Sequence, residues 1–256
     1  MLGVQILIHA IRMVLNNLGA ALRISALPML VVLALTLAMG GPGEMLVDPD
    51  AAVPTGRMGG LFLATLLQLA AALWIAVAWH RYILLEEAPE GFVPPFNGRA
   101  ILSYFWAGVI FSAVLVLVAI PLVLIAGVIA GPMIVAEGGA VGGFAALVLF
   151  LLVWLPVTFV SYRISPILPS AAIGERLPLK EAWYATGTGG AAFIVLALAS
   201  VLLVWILNLP AGLLIAVSVQ LAFLWAFAVQ WAVTLGGASV LTTIYGHFVE
   251  KRELDA

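Results

Sequence analysis

Apolar runs long enough to cross a bilayer recur along this chain, and they leave little room for any other architecture. A transmembrane helix needs about 20 mostly apolar residues, because ~30 Å of hydrocarbon is crossed at 1.5 Å per residue. Residues 22–41, 59–80, 101–127, 142–162 and 190–208 meet that requirement and are closed by Gly, Pro or charged residues. A sixth run, 211–246, has no charged side chain, and as one straight helix it would reach about 54 Å, well past the hydrocarbon. It is expected to tilt, bend or divide, with an outer-surface segment at 211–219, the span at 220–246, and Gly236-Gly237 as the bend. Residues 101–136 have the same surplus, with Pro121 placed to kink the helix and Gly131-Pro132 to end it.

Composition points the same way. The chain has 256 residues, 65% apolar and only 9% charged, whereas soluble domains carry roughly a quarter charged residues. Ten cations and twelve carboxylates cannot clothe a globule of 26.9 kDa in water. No stretch leaves space for a separate soluble domain, so residues 1–256 read as one all-α, polytopic membrane domain. A net charge of −2 disfavours nucleic acid as a partner, and the lack of cysteine excludes disulfides and thiolate chemistry.

Orientation follows from the cations. With six spans and a cytoplasmic N-terminus, Arg12, Arg23, Arg81, Arg99, Arg163, Arg176, Lys180, Lys251 and Arg252 fall inside and only Arg57 outside. One span more or fewer would scatter them. Both termini are therefore expected in the cytoplasm. The outer loop at 42–58, with Pro42, Glu44, Asp48, Asp50 and Pro54, and the second outer loop with Glu137 are too short to fold alone. In the inner connection at 163–189, Ser165-Pro166 and Pro169 precede a short helix from Pro178, at its first position, through Trp183 to Thr186.

The first 19 residues carry a different pattern. Gln5, His9, Arg12 and Asn16 are spaced by four, three and four, which places them on one narrow stripe of a helix. Leu2, Val4, Ile6, Leu7, Ile11, Val14 and Leu15 make the other face, so an uncleaved interfacial helix is expected before Asn16-Asn17 and Gly19 turn the chain inward.

Candidate chemistry is sparse. The chain lacks G-x-S-x-G, H-E-x-x-H and the phosphate-loop pattern, and no catalytic, metal or cofactor site is read from it. His9, His80 and His247 map to the inner boundary, where histidine is ordinary. Within the spans the strongest polar groups are Gln68, Gln220 and Gln230, with Thr65, Ser112, Ser200, Ser218 and Thr234. Neutral groups of this kind usually join helices, and a Gln68–Gln230 bond is one such expectation. Ala64, Gln68, Ala72, Ala76 and His80 repeat every four residues, which reads as a packing seam or, alternatively, a substrate path. Arg81, Arg163, Lys180 and Lys251 form a candidate rim for anionic lipid headgroups. Neighbouring carboxylates such as Glu86, Glu87, Glu175 and Glu250 offer salt bridges as the competing use.

AWHRYILLEE at 78–87, RISPILPSAAIGERLPLKEAWYATGTG at 163–189 and TTIYGHFVEKREL at 242–254 together resemble a group of uncharacterised bacterial six-span membrane proteins. That group is similar to the membrane domain attached to some glycerophosphodiester phosphodiesterases, whose catalysis belongs to a separate soluble barrel absent from these 256 residues. The resemblance implies a bacterial inner-membrane location and an accessory or lipid-associated role, and it transfers no catalytic residue. The expected function is a non-enzymatic membrane module contacting lipids or another membrane protein. The alternative is a small-molecule or lipid permease with a midplane site near Gln68 and Gln230.

Overall fold

The computed structural model describes residues 1–38, 55–136, 145, 147 and 149–254. Pro42, Glu44, Asp48, Asp50, Pro54 and Glu137 lie outside them, as does the side chain of Arg57. Among the described residues every regular element is helical: α1 (Leu2–Asn16), α2 (Leu18–Ala38), α3 (Thr55–Leu85), α4 (Gly98–Ala136), a π turn (Phe150–Trp154) running into α5 (Leu155–Ile164), α6 (Ile167–Ile173), α7 (Leu179–Ala185), a 3-10 turn (Gly187–Gly189), α8 (Gly190–Val217) and α9 (Val219–Phe248). Six segments are long and apolar enough to cross a membrane. The all-α polytopic reading holds.

The amphipathic stripe folds as α1, but lipid is not its only support. Gly3, Ile6, Ala10 and Val14 are buried on one face, and α1 packs against both α8 and α9. Gly3 allows the close approach, since a Cβ there would overlap the carbonyl of Ala192. Val4, Ile8 and Leu15 stay exposed on another face. A single residue, Asn17, separates α1 from α2, and its amide donates to Met13 O at 2.8 Å.

Several helix ends differ from the sequence expectation, and proline accounts for most of them. Gly131-Pro132 does not end the third span, because α4 runs on to Ala136. A helix in hydrocarbon has no water to satisfy freed backbone groups, so a proline is absorbed rather than used as a stop. The fourth span was expected to end at 162, yet α5 reaches Ile164 and α6 follows after Ser165-Pro166. Pro166 is the N-cap of α6 and Pro169 lies in its first turn, where backbone N–H groups have no intrahelical partner to lose. Pro178 is likewise the N-cap of α7 rather than its first residue.

Residues 211–217 do not form a segment separate from the fifth span. The fifth helix carries Pro210 inside it and continues to Val217, and Ser218 alone, with extended backbone at φ −165 and ψ 129, separates it from α9. Near the proline, Asn208 Nδ2 donates to Val204 O at 2.8 Å, and Trp225 Nε1 of α9 donates to Leu207 O at 2.9 Å. Gly236-Gly237 do not divide the sixth span, since α9 is continuous through them.

Packing is concentrated toward one end of the bundle. Bonds from Tyr82 to Asn17, from Arg81 to Ala172 and from Tyr245 to Glu175 gather the α1–α2 junction and the ends of α3, α6 and α9 there. One apolar cluster joins Ile24 of α2, Trp79 of α3 and Leu235 of α9. A second joins Ile6 of α1, Phe193 of α8 and Ile244 of α9, and a third joins Val77 of α3, Tyr104 of α4 and Leu168 of α6. Toward the opposite end Phe62, Leu63, Leu124, Val128, Leu213 and Val217 are exposed.

The α1–α8 contact gives a direct test. Gly3→Ala is expected to lower thermal stability in detergent by about 1–3 kcal/mol, the usual cost of overpacking. Gly19→Ala in α2, where an added methyl meets nothing within 4 Å, is expected not to.

Candidate functional site

Helices α3 and α9 are joined by polar bonds of a single design. Trp79 Nε1 donates to Ser239 Oγ at 2.8 Å, and Ser239 Oγ donates to Leu235 O at 2.8 Å. His80 Nδ1 lies 2.8 Å from Thr242 Oγ1, and Thr242 Oγ1 donates to Ala238 O at 2.8 Å. The same arrangement joins α9 to α2: Trp231 Nε1 donates to Ser25 Oγ at 2.7 Å, and Ser25 Oγ to Ala21 O at 2.5 Å. Each hydroxyl bonds the carbonyl one turn earlier and receives a ring N–H from the neighbouring helix.

A hydroxyl has one proton, so with that of Thr242 on Ala238 O the threonine accepts from His80, and the imidazole proton is then on Nδ1. Nε2 is left as an acceptor, and Tyr104 OH of α4 approaches it at 3.4 Å. His80, Trp79 and Ser239 are fully buried, a setting in which unpaired polar groups cost most. The histidine thus links α4, α3 and α9 within one buried chain of bonds.

The four-residue stripe on α3 has two fates. At its lower end Ala76 packs against the apolar cluster around Val77 and Tyr104, and His80 closes the seam. At its upper end Gln68 and Ala72 line a groove of about 270 Å³ between α2, α3 and α9, together with Thr36, Phe227, Gln230 and Thr234. The stripe is thus a packing seam in one half and the wall of an open groove in the other. Gln68 and Gln230 meet in this groove, but Gln230 Nε2 donates to Thr234 Oγ1 of its own helix at 3.4 Å rather than to Gln68. Gln220 stands apart in the first turn of α9, where Ser218 Oγ donates to its Oε1 at 2.7 Å.

The candidate rim cations share a different task. Arg81 forms a two-pronged ion pair with Glu87, and its Nη1 donates to Ala172 O at 3.0 Å, at the end of α6. Arg163 donates to Trp183 O at 2.6 Å and Thr186 O at 3.1 Å, at the end of α7, with its guanidinium 4.3 Å from the centre of the Trp183 ring. Lys251 Nζ donates to Phe248 O at 2.7 Å, the last residue of α9. Helix C-termini present unpaired carbonyls and partial negative charge, which cations satisfy. Lys180 lies 6.0 Å from the ring of Tyr184, one turn on. Arg81, Arg163 and Lys251 thus serve the ends of three different helices, while Lys180 stays against its own helix.

Two further cavities flank α1. One, of about 200 Å³, is lined by His9, Thr242, His247 and Arg252. It brings two of the three histidines near each other, while His80 stands behind Thr242. His247 Nδ1 is occupied by Arg252 O at 3.2 Å. The other, of about 510 Å³, is almost wholly apolar and runs between α1, α8 and α9, with Leu7, Leu15, Leu203, Trp231, Gly236 and Gly237 among its walls. The glycine pair has no atom within 4 Å of where a Cβ would stand, so it leaves this groove open.

Sequence reasoning did not single out Gly3, Ser25, Ser239 or Thr242. The signal was present for the last two, which lie three residues apart on one face of α9 and match adjacent ring donors at Trp79 and His80. Compared with protein-family models, curated proteins and solved structures, the chain matches none.

The seam predicts an asymmetric response to substitution. Thr242→Val leaves His80 Nδ1 without its partner and is expected to cost about 1–3 kcal/mol, whereas Thr242→Ser keeps the hydroxyl and is expected to be near neutral. Unfolding of both variants in detergent, followed by tryptophan fluorescence, makes the comparison.

Proposed function

We propose that this chain is a non-enzymatic, lipid-associated module of the bacterial inner membrane, with both termini cytoplasmic, that holds a phospholipid acyl chain against its amphipathic first helix. The observation that carries the reading is the apolar groove between α1, α8 and α9. Its α9 wall runs from Trp231 to Leu241, about 15 Å at 1.5 Å per residue, which is the depth of one leaflet of a ~30 Å core. α1 lines it with Leu7, Ile11 and Leu15 while exposing Arg12 on its polar stripe. A phospholipid offers that pairing, an apolar tail for the groove and an anionic head for the cation. The excess of cations at one end and the resemblance to a membrane domain of phosphodiesterases support the topology and an accessory role beside another membrane protein.

Filling the groove tests the reading. Leucines at Gly236 and Gly237 occupy space that is open in the native chain, and purified Gly236→Leu/Gly237→Leu protein is expected to lose most of its co-purified phospholipid by mass spectrometry. Unchanged lipid with the groove filled contradicts the assignment.

A permease is the second reading, and the specific observation in its favour is the groove that holds Gln68 and Gln230 above a closed α3–α9 seam. Open at one half and locked at the other is the form of one state of an alternating-access cycle. Cysteines placed singly at Ala72 and Thr234, in a chain with no native cysteine, report on it. Labelling by impermeant maleimide from both aqueous sides is expected of a permease, and labelling from one side or neither of a static module.

A further inference from the structure

We infer that the groove between α2, α3 and α9 binds the uncharged polar head of a membrane-soluble amphiphile, with Gln68 and Gln230 as its hydrogen-bonding residues. The inference rests on the permease reading only in treating this groove as a site; it does not require passage across the membrane.

The hydrogen-bond inventory leads there. Thr36 Oγ1 donates to Val32 O at 2.8 Å and Thr234 Oγ1 donates to Gln230 O at 2.8 Å, so both hydroxyl protons are spent on their own helices. Because Thr234 can then only accept, Gln230 must turn its NH₂ toward it. That leaves the Gln230 Oε1 and one N–H unspent. Among the described residues Gln68 has no hydrogen-bond partner, so its whole amide is free. Gln68 lies near the middle of α3, thirteen residues from Thr55 and seventeen from Leu85. Gln230 lies eleven residues inside the sixth span, which begins at Val219, about 16 Å along the helix axis. Amide groups at that depth have no bulk water to satisfy them, and leaving them bare is costly.

The walls state what the partner must be. No charged side chain lines the groove, so an ion would be desolvated there without compensation. Unspent amide N–H groups and amide oxygens together match a head that both accepts and donates, such as a hydroxyl beside ester carbonyls. Met29, Val32, Phe223 and Phe227 provide the apolar surface for the attached body. A neutral lipid of the diacylglycerol class has these parts.

The test uses the full chain in phosphatidylethanolamine–phosphatidylglycerol vesicles containing a trace of photoactivatable diacylglycerol. Crosslinks are expected on residues 62–72 and 223–234, reduced about tenfold in Gln68→Leu/Gln230→Leu, the size of one buried hydrogen bond. Both leucines suit a membrane helix, so the double variant is expected to fold. Crosslinking that the double substitution leaves unchanged overturns the inference, as does equal labelling of the same segments by photoactivatable phosphatidylglycerol. Two-sided maleimide access without diacylglycerol crosslinks leaves a path but removes this ligand class. Crosslinks without two-sided access leave a binding site and remove passage.

Discussion

In hydrocarbon a ring N–H has no water to turn to, and that constraint shapes the interior of this bundle. The solution appears three times: a serine or threonine gives its proton to the carbonyl one turn back and takes a proton from Trp79, His80 or Trp231 on a neighbouring helix. A hydroxyl used this way has a fixed direction, so each bond also sets the facing of two helices. Helix α9 supplies two acceptors and one donor, and it packs against α8, α1, α3 and α6. The fold is assembled around it.

Cations at the same end act on helix termini. Arg81, Arg163 and Lys251 each reach carbonyls that close α6, α7 and α9. The short helices α6 and α7 could not persist alone at seven residues each, far below the length at which isolated helices hold in water. Burial of Leu168 and Ala172 against α3 and α4 holds one; the Arg163 fork and its stacking on Trp183 hold the other. A cation placed by topology thereby also organises the connection between the fourth and fifth spans.

The six spans were legible because hydrophobic length is a property of each segment on its own. Their ends were less so, since Gly131-Pro132 was taken as a stop and the helix runs through it, as another does through Pro210. The stripe at Gln5, His9, Arg12 and Asn16 identified α1, but only three-dimensional proximity shows that Gly3 is pressed against Ala192. Gln68 and Gln230 were paired by residue type and do share a groove, although the expected bond between them is not made. For Arg81 and Arg163 the charge was visible while the partners were not, because backbone carbonyls carry no letter in a sequence.

Ser218 joins α8 to α9 with a single extended residue, its own N–H still bonded to Leu214 O at 2.8 Å and its carbonyl to the N–H of Ala222 at 3.1 Å. A link that short leaves few torsions free. The two long helices meet as a hairpin hinged on one residue, so any tilt of α8 relative to α9 must be taken up in the dihedrals of Ser218 or in bending of the helices themselves.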